Sequence, residues 1–212
     1  MSPTTLIQQL SLLISQEQKC CGSTLVEDDP GSTSGQTCIT GLGKGLIVRP
    51  TCPSFAMDDQ GSSIASLNQL LFPLFCASVP KSTKLCDYIL FSPQSPDSRL
   101  VVLLCELKSG NPKGALHQIH GGMLLAEQII NVTLLHLRPT VVPRIEYRGL
   151  ILSNRGIVQK QPTRPGRGYD FIPHRRTGLP IAHLRSGANY RADALGAALP
   201  SPREHPSDPI RS

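Results

Sequence analysis

Two acidic residues and one lysine beside apolar segments form the strongest chemical pattern in the sequence. Glu106 and Lys108 close an apolar run that begins at Leu100, and Asp87 stands in an earlier apolar segment. Side chains alternate between the faces of a strand, so Glu106 and Lys108 project the same way while Leu107 points into the core. Two converging carboxylates repel each other unless a cation lies between them, and oxygen ligands suit Mg²⁺ or Mn²⁺. The pattern therefore predicts a divalent cation site with a lysine beside it.

The segments around these residues predict two neighbouring strands. Leu85–Phe91 and Leu100–Lys108 are strand candidates, and the Pro-rich stretch Ser92–Ser98 is a turn candidate. The second strand is apolar on both faces for six residues, which is typical of a central strand. If the two strands pair through the turn, Asp87 comes beside Glu106.

Two helices and a third strand complete the expected core. Apolar residues at helical spacing predict one helix over residues 4–18, with Ser2 or Thr4 as its cap, and another over Gly114–Asn131. Arg144–Ser153 is predicted to be a further strand. The order helix, strand, strand, helix, strand predicts an α/β fold with a mixed central sheet flanked by helices.

Less regular segments surround this core. Gly, Ser, Thr, Pro and Asp dominate residues 20–61, which predicts an irregular insertion that carries a small hairpin, with one short strand candidate over Gly45–Arg49. A helix is expected over Ser62–Phe72. A basic hairpin is expected within residues 156–190, around the turn Arg175–Gly178. We expect one domain over residues 1–190.

The end of the chain has a different composition. Four prolines and no aromatic residue follow Ala192, and this composition predicts a disordered tail over residues 191–212.

The arrangement of Asp87 followed by Glu106-Leu107-Lys108, within this order of elements, resembles the PD-(D/E)xK, or restriction-endonuclease-like, nuclease superfamily. The resemblance covers roughly residues 1–155 and implies a restriction-endonuclease-like core. It implies that the Asp87 and Glu106 side chains and the Leu107 backbone carbonyl hold Mg²⁺ or Mn²⁺, and that Lys108 orients or activates the attacking water. The sequence departs from the family pattern at Cys86, where the family name has a proline.

Two further residues fit the same resemblance. Many family members have a glutamine on the helix after the motif, and Gln118 corresponds to it. An acidic residue on the first helix often completes the metal site, and Glu17 is the only candidate before the insertion. The resemblance thus implies a metal-dependent nuclease with Asp87, Glu106, Lys108 and Gln118 as its catalytic residues.

The distribution of charge points to a polyanionic partner. The formal net charge is +6, and residues 155–212 carry ten basic against four acidic residues, nine of the ten being arginine. Because guanidinium groups fork onto phosphate, we expect nucleic acid as partner, with DNA favoured over RNA. A solvated tail kept soluble by its arginines is the alternative. The expected backbone contacts are Arg167, Arg175, Arg176 and Arg185.

Other interpretations of the same pattern remain open. A Glu-x-Lys at a strand end is often only a surface ion pair, which would suit a mixed α/β interaction protein that binds no metal. The fold also serves as a non-catalytic nucleic-acid-binding or scaffold module, although such members tend to lose an acidic residue or the lysine. His117 and His120 have no ligands at matching spacing and are expected to face solvent beside the cleft.

The sequence also predicts the environment of the protein. The longest uninterrupted apolar run, Leu100–Cys105, is far shorter than the ~20 residues that span a bilayer, so we expect no membrane segment. Seven cysteines without a C-x-x-C pair fit a reducing compartment, so a cytoplasmic location is expected. Because no recognition domain is visible, specificity would come from a partner protein, a guide or a second copy of the chain.

Overall fold

The computed structural model describes residues 1–14, 16–20, 22–26, 36–50, 84–94, 98–109, 112, 114–154 and 168–199. In this part of the chain, the fold is mixed α/β, with two mixed sheets and flanking helices. The elements in chain order are α1 (Pro3–Leu13), β1 (Thr24–Leu25), β2 (Thr37–Thr40), β3 (Leu46–Val48), β4 (Tyr88–Gln94), β5 (Arg99–Lys108), α2 (Ala115–Leu137), β6 (Arg144–Ser153), β7 (Ile172–Pro173), β8 (Pro180–Arg185), β9 (Asn189–Arg191) and α3 (Ala192–Gly196). None of these helices combines the length and apolar character that crossing a membrane requires.

The larger sheet has six strands in the order β3-β4-β5-β6-β8-β7. Strand β5 lies in its middle, and nine of its ten residues are buried, as its continuous apolar run predicts. It pairs antiparallel with β4 and parallel with β6, and α2 makes the crossover between the two parallel strands. Strand β8 continues the parallel direction beside β6. The predicted mixed sheet flanked by helices is therefore confirmed.

The two faces of this sheet are covered by different elements. One face packs against α1 and α2 in an apolar cluster that includes Leu104, Ile119 and Ile151. The other face packs against the smaller sheet, of order β1-β2-β9, and α3, in a cluster that includes Leu107 and Leu195. Strand β5 contributes alternate residues to both clusters, so the sheet is covered on each side.

The predicted elements of the core have shifted bounds. Helix α1 begins after Ser2, whose side chain accepts the Thr5 backbone N–H at 3.1 Å, and it ends at Leu13 instead of reaching residue 18. The chain is already extended at Ile14, and a short 3₁₀ turn follows at Gln16–Gln18. Helix α2 runs six residues past the predicted end at Asn131.

The strand predicted over Leu85–Phe91 is displaced along the chain. It begins at Tyr88 and extends through Pro93 to Gln94. Strand β3 pairs with β4 only as far as Phe91, and in the described part of the chain no other strand pairs with that side of β4 at Pro93, which lacks an N–H. Residues 95–97 of the expected turn lie outside the described residues.

The irregular insertion contains more pairing than the sequence indicates. Besides β3, it holds the short strands β1 and β2, and β2 pairs in parallel with β9 near the other end of the described chain. Such short strands depend on a distant partner, which a local sequence pattern does not show. The helix expected over Ser62–Phe72 lies outside the described residues.

The prediction that the chain is disordered from residue 191 is wrong for residues 191–199. Arg191 ends strand β9, and Ala192–Gly196 form α3, in which Ala192 and Leu195 are buried. The Arg148 guanidinium donates to the Leu195 carbonyl at 2.7 Å, so α3 is attached to the larger sheet. The four prolines that indicated disorder all follow Leu199, whereas small alanines allow α3 to pack closely.

Candidate metal centre

The register of β4 and β5 brings Asp87 next to the end of β5. Tyr88 of β4 pairs with Cys105 of β5 in an antiparallel register. Asp87, which precedes Tyr88, therefore stands opposite Glu106, which follows Cys105. The Leu107 backbone N–H donates to Oδ2 of Asp87 at 2.7 Å. This hydrogen bond holds the Asp87 carboxylate against the backbone of β5, and the expected pairing of the two strands is confirmed.

The alternation of side chains along β5 places the polar groups as predicted. Leu104 belongs to the cluster under α1 and α2, and Glu106 and Lys108 follow at spacing two on that face. Leu107 belongs to the cluster on the opposite face and is 1% exposed. Asp87 lies two residues before Ile89, which belongs to the same cluster as Leu104. Asp87, Glu106 and Lys108 therefore project from the same face of the sheet.

Glu106 is an acid in an environment that disfavours its charge. Its side chain is 0% exposed. Burial, and then the nearby Asp87 charge, raise the pKa of Glu106 to about 8, and the Lys108 ammonium counteracts the rise only in part. Without a further cation, Glu106 therefore holds a proton at neutral pH.

The oxygens of Glu106 have an unfilled capacity for ligands. Lys108 Nζ lies 2.5 Å from Glu106 Oε1 and contributes an opposite charge. Both oxygens are buried, and Oε2 has no hydrogen-bond partner among the described residues, so Lys108 accounts for only one of the two. Since buried polar groups are normally paired, the unpaired Oε2 next to Asp87 fits a divalent cation as its missing partner.

The donor set on the described part of the chain is small. No group of three or more His, Cys, Asp or Glu residues there could hold a metal ion. Asp87 and Glu106 could supply two oxygen ligands, and backbone carbonyls and water would have to supply the others, as Mg²⁺ commonly accepts. Glu17 has its backbone in the 3₁₀ turn, and its side chain lies outside the described residues.

Gln118 lies near the site, but among the described residues its side chain hydrogen-bonds to neither carboxylate. Its side-chain Nε2 donates to the Leu85 carbonyl at 3.4 Å, two residues before Asp87. The start of α2 can approach this segment because Gly121 and Gly122 have no side chains. A Cβ atom on Gly121 would overlap the Lys84 carbonyl oxygen, and one on Gly122 would overlap Cys86 Sγ.

The basic hairpin is confirmed, and it lies away from the carboxylates along the sheet. Arg175 and Arg176 occupy the exposed turn between β7 and β8. Strand β8 runs from Pro180 to Arg185, which corresponds to about 16 Å at ~3.3 Å per residue. Its final residue, Arg185, pairs with Ser153 of β6, which in turn pairs with Lys108 of β5. Arg167 lies outside the described residues.

A contact with α2 fixes the hairpin turn. Thr177 Oγ1 lies 3.0 Å from His120 Nε2 and 3.0 Å from His174 Nδ1. The two imidazole rings also meet, with their centroids 5.6 Å apart. His117 is exposed, as expected, whereas His120 takes part in attaching the hairpin to the helix.

One residue of this region was not singled out by the sequence. His183 lies on β8 two residues before Arg185 and is exposed. Its registration partner on β6 is Ile151, which in turn pairs with Glu106 on β5. The alternation of Ile181, His183 and Arg185 is the signal that could have identified it, since it puts two polar side chains on one face of a strand.

Comparison with known proteins adds no relative: no protein-family model, curated protein or solved structure matches the chain. The interpretation of the site therefore depends on the geometry and electrostatics of its own residues.

Proposed function

We propose that this chain is a Mg²⁺- or Mn²⁺-dependent nuclease with a restriction-endonuclease-like core that hydrolyses phosphodiester bonds, in DNA in preference to RNA. The observation that carries the proposal is the fully buried Glu106 carboxylate, which stands opposite Asp87 and has Lys108 against Oε1 but no hydrogen-bond partner for Oε2 among the described residues. A protein rarely leaves such a group uncompensated unless it has a functional use. A divalent cation accounts for both carboxylates at once.

The topology supports the same proposal. The order α1, β4, β5, α2, β6, with β4 and β5 antiparallel and β6 parallel to β5, agrees with the order that the resemblance implies. Asp87 precedes β4, and Glu106 and Lys108 end β5, so these chemical groups occur where the core strands meet.

In the proposed site, Asp87, Glu106 and the Leu107 backbone carbonyl hold the cation, with Glu17 as a further candidate ligand. When bound, the cation lowers the pKa of a water molecule and stabilises negative charge on the phosphate. Asp87 is oriented for this role by the Leu107 N–H. The burial of Glu106 excludes water from one side of the site, which strengthens its electrostatic interactions.

Lys108 and Gln118 supply the remaining polar groups. The Lys108 side chain is 24% exposed, so its ammonium can reach a substrate while it stays next to Glu106. We assign it to orienting the attacking water and offsetting charge on the phosphate. We assign Gln118 to orienting substrate or water, a role that requires it to exchange its long contact with the Leu85 carbonyl.

A non-catalytic nucleic-acid-binding or scaffold protein is the alternative function. It would use the same fold and the same basic residues without hydrolysis. The other alternative, an interaction protein with Glu106 and Lys108 as a surface ion pair, is disfavoured because Glu106 is buried and the pair is therefore not a surface pair. Metal-dependent cleavage of phosphodiester bonds distinguishes the proposed nuclease from both alternatives.

The test is cleavage of plasmid, linear duplex, single-stranded DNA and RNA with Mg²⁺ or Mn²⁺. Three variants remove one group each: Asp87→Asn, Glu106→Gln and Lys108→Ala. Asp193→Asn is the matched control, since this exposed carboxylate pairs with Arg191 on another element. We expect metal-dependent cutting by the wild type and the control and at least a hundredfold loss, in order of magnitude, in the three variants. Cutting that survives Glu106→Gln would overturn the nuclease assignment, and metal binding without any cutting would favour the non-catalytic alternative.

A further inference from the structure

Two rows of residues cross the larger sheet from the candidate metal centre to strand β8. The first row joins Glu106, Ile151 and His183, and the second joins Lys108, Ser153 and Arg185, each by strand registration. Strands β5, β6 and β8 are parallel, so their carboxyl ends lie at the same edge of the sheet. His183 and Arg185 are therefore two strands away from Glu106 and Lys108.

The side chains of β8 follow the same alternation as those of β5. Ile181 belongs to the cluster under α1 and α2, whereas Ala182 and Leu184 belong to the opposite cluster. His183 and Arg185 continue the alternation of Ile181, and both are exposed. They consequently project from the face that carries Glu106 and Lys108.

The backbone at the end of β8 is held on both sides. The Ser186 N–H donates to the Ser153 carbonyl at 3.2 Å, and the Ser186 hydroxyl donates to Asn154 Oδ1 at 2.6 Å. The Tyr190 hydroxyl donates to the Arg185 carbonyl at 2.5 Å. The position of Arg185 relative to the end of β6 is thus built into the fold, although its side chain is exposed.

We propose that His183 and Arg185 form a subsite for a backbone phosphate that flanks the phosphodiester to be cut. This inference rests on the proposed function, because it takes Asp87 and Glu106 as the site of cleavage. Two β-strand spacings of ~4.8 Å put the subsite about 10 Å from Glu106. At ~3.4 Å of helix axis per nucleotide, this distance corresponds to about three nucleotides. A nucleic-acid strand that crosses the sheet edge then touches both places at once.

The chemistry of the two side chains suits this task. The Arg185 guanidinium can donate two parallel hydrogen bonds to phosphate oxygens. Partial desolvation of the ring lowers the pKa of His183, which favours the neutral imidazole at pH 7, so that it contributes a hydrogen bond without a charge. Arg185 forms no ion pair with any described residue, in contrast to Arg191, which pairs with Asp193.

The first experiment measures binding of a fluorescein-labelled single-stranded oligonucleotide by anisotropy, with Ca²⁺ in place of Mg²⁺ and over a range of salt concentrations. We expect Arg185→Ala to weaken binding about tenfold and to lower the salt slope by about one, because one phosphate contact is lost. Arg185→Lys should keep the slope, and His183→Ala should weaken binding without changing it. Arg191→Ala is the matched control and should bind as the wild type does. An Arg185→Ala protein with wild-type affinity and slope overturns the subsite.

The second experiment separates the subsite from the cleavage chemistry. Bis(p-nitrophenyl) phosphate contains a phosphodiester but no flanking phosphate. With Mn²⁺, we expect His183→Ala and Arg185→Ala to raise KM for the oligonucleotide and to leave hydrolysis of the small diester unchanged. An equal loss on both substrates overturns the subsite, because it would indicate a general defect at the metal centre. A wild type that cuts neither substrate, together with a salt slope that is lower by about one in Arg185→Ala, would reject the proposed function and support the phosphate contact.

Discussion

The ammonium of Lys108 lies 2.5 Å from Oε1 of Glu106, a carboxyl group that is itself wholly buried. An isolated pair of this kind gives little stability, because the desolvation of the buried partner offsets the attraction. Here a second acid, Asp87, stands on the neighbouring strand end and adds repulsion. Among the described residues, these three groups are two acids and one base, so a proton on Glu106 or a bound cation would relieve the repulsion between the acids.

The first prediction concerns stability and pH in metal-free buffer. Folding raises the pKa of Glu106 from an ordinary value near 4.5 to about 8, so the folded state keeps a proton that the unfolded chain releases. This contribution is complete below about pH 4.5 and is lost as pH rises through about 8, with a slope of up to ~1.4 kcal/mol per pH unit. Urea unfolding in EDTA at several pH values measures it. Glu106→Gln cannot release a proton, so its stability relative to the wild type should increase with pH, and a constant difference would contradict the assignment.

The second prediction concerns protons released by metal binding. A cation that takes Glu106 as a ligand must displace the proton that it holds at pH 7, so about one proton should leave for each Mn²⁺ bound. Titration calorimetry in two buffers of different ionisation enthalpy measures this number. Apparent affinity should rise with pH up to about 8 and then level off. Proton release that persists in Glu106→Gln would show that another group is the source.

The third prediction separates the structural and chemical roles of Asp87. Asp87→Asn keeps an oxygen that can accept the Leu107 N–H, whereas Asp87→Ala leaves that donor without its partner. We expect Asp87→Ala to lower the free energy of unfolding by about 1–2 kcal/mol and Asp87→Asn to change it less. Both variants should lose metal-dependent cleavage. If Asp87→Asn retained cleavage, the Asp87 charge would have no part in the reaction.

The central elements of the fold could be predicted because their sequence patterns are long. The apolar run that ends at Glu106, the strand Arg144–Ser153 and the helical spacing after Gly114 each extend over two or more turns or several strand residues. The position of Asp87 opposite Glu106 could be predicted as well, since it follows from the antiparallel pairing of β4 with β5. The roles of both residues remain proposals.

The elements that the sequence did not indicate are short and depend on distant partners. Strand β2 has four residues and pairs with β9, which lies about 150 residues away, and α3 has five residues that are mostly small. The position of His183 relative to Glu106 follows only from the register of β5 with β6 and of β6 with β8. Local patterns carry no information on such pairing, so these features required the three-dimensional structure.

The fourth prediction tests how the glycines of α2 position the segment before Asp87. A methyl group on Gly122 meets the Cys86 side chain, whereas one on Gly121 meets the Lys84 backbone carbonyl. We expect Gly122→Ala to destabilise the protein by about 1–3 kcal/mol and Gly121→Ala to be at least as damaging, because backbone yields less easily than a side chain.

Replacement of Cys86 by alanine is the matched test of that contact. The double variant Gly122→Ala/Cys86→Ala should recover stability relative to the sum of the single changes, while Gly121→Ala/Cys86→Ala should be additive. Thermal and urea unfolding of the single and double variants measure both couplings. Equal coupling of Cys86 to the two glycines would contradict the packing.

The last prediction concerns the end of the described chain. Arg148 is 1% exposed, and its guanidinium donates to the Leu195 carbonyl, while Arg99 donates to the Gly196 carbonyl at 3.4 Å. Both arginines also pair with Glu146, so the attachment of α3 is part of a buried charge network. Truncation after Arg191 removes the two carbonyl acceptors and the buried Leu195 side chain. We expect it to lower the free energy of unfolding by about 3 kcal/mol or more.

Truncation after Leu199 is the matched control, because it keeps α3 and the contacts of Arg99 and Arg148. Urea unfolding of the two shortened proteins distinguishes a structural α3 from a dispensable tail. If both truncations left stability unchanged, the buried arginines would have to be satisfied without α3. If only the shorter protein is destabilised, α3 is structural, because its carbonyls compensate Arg99 and Arg148, which share the Glu146 carboxylate with Arg144, and its Leu195 side chain completes the core.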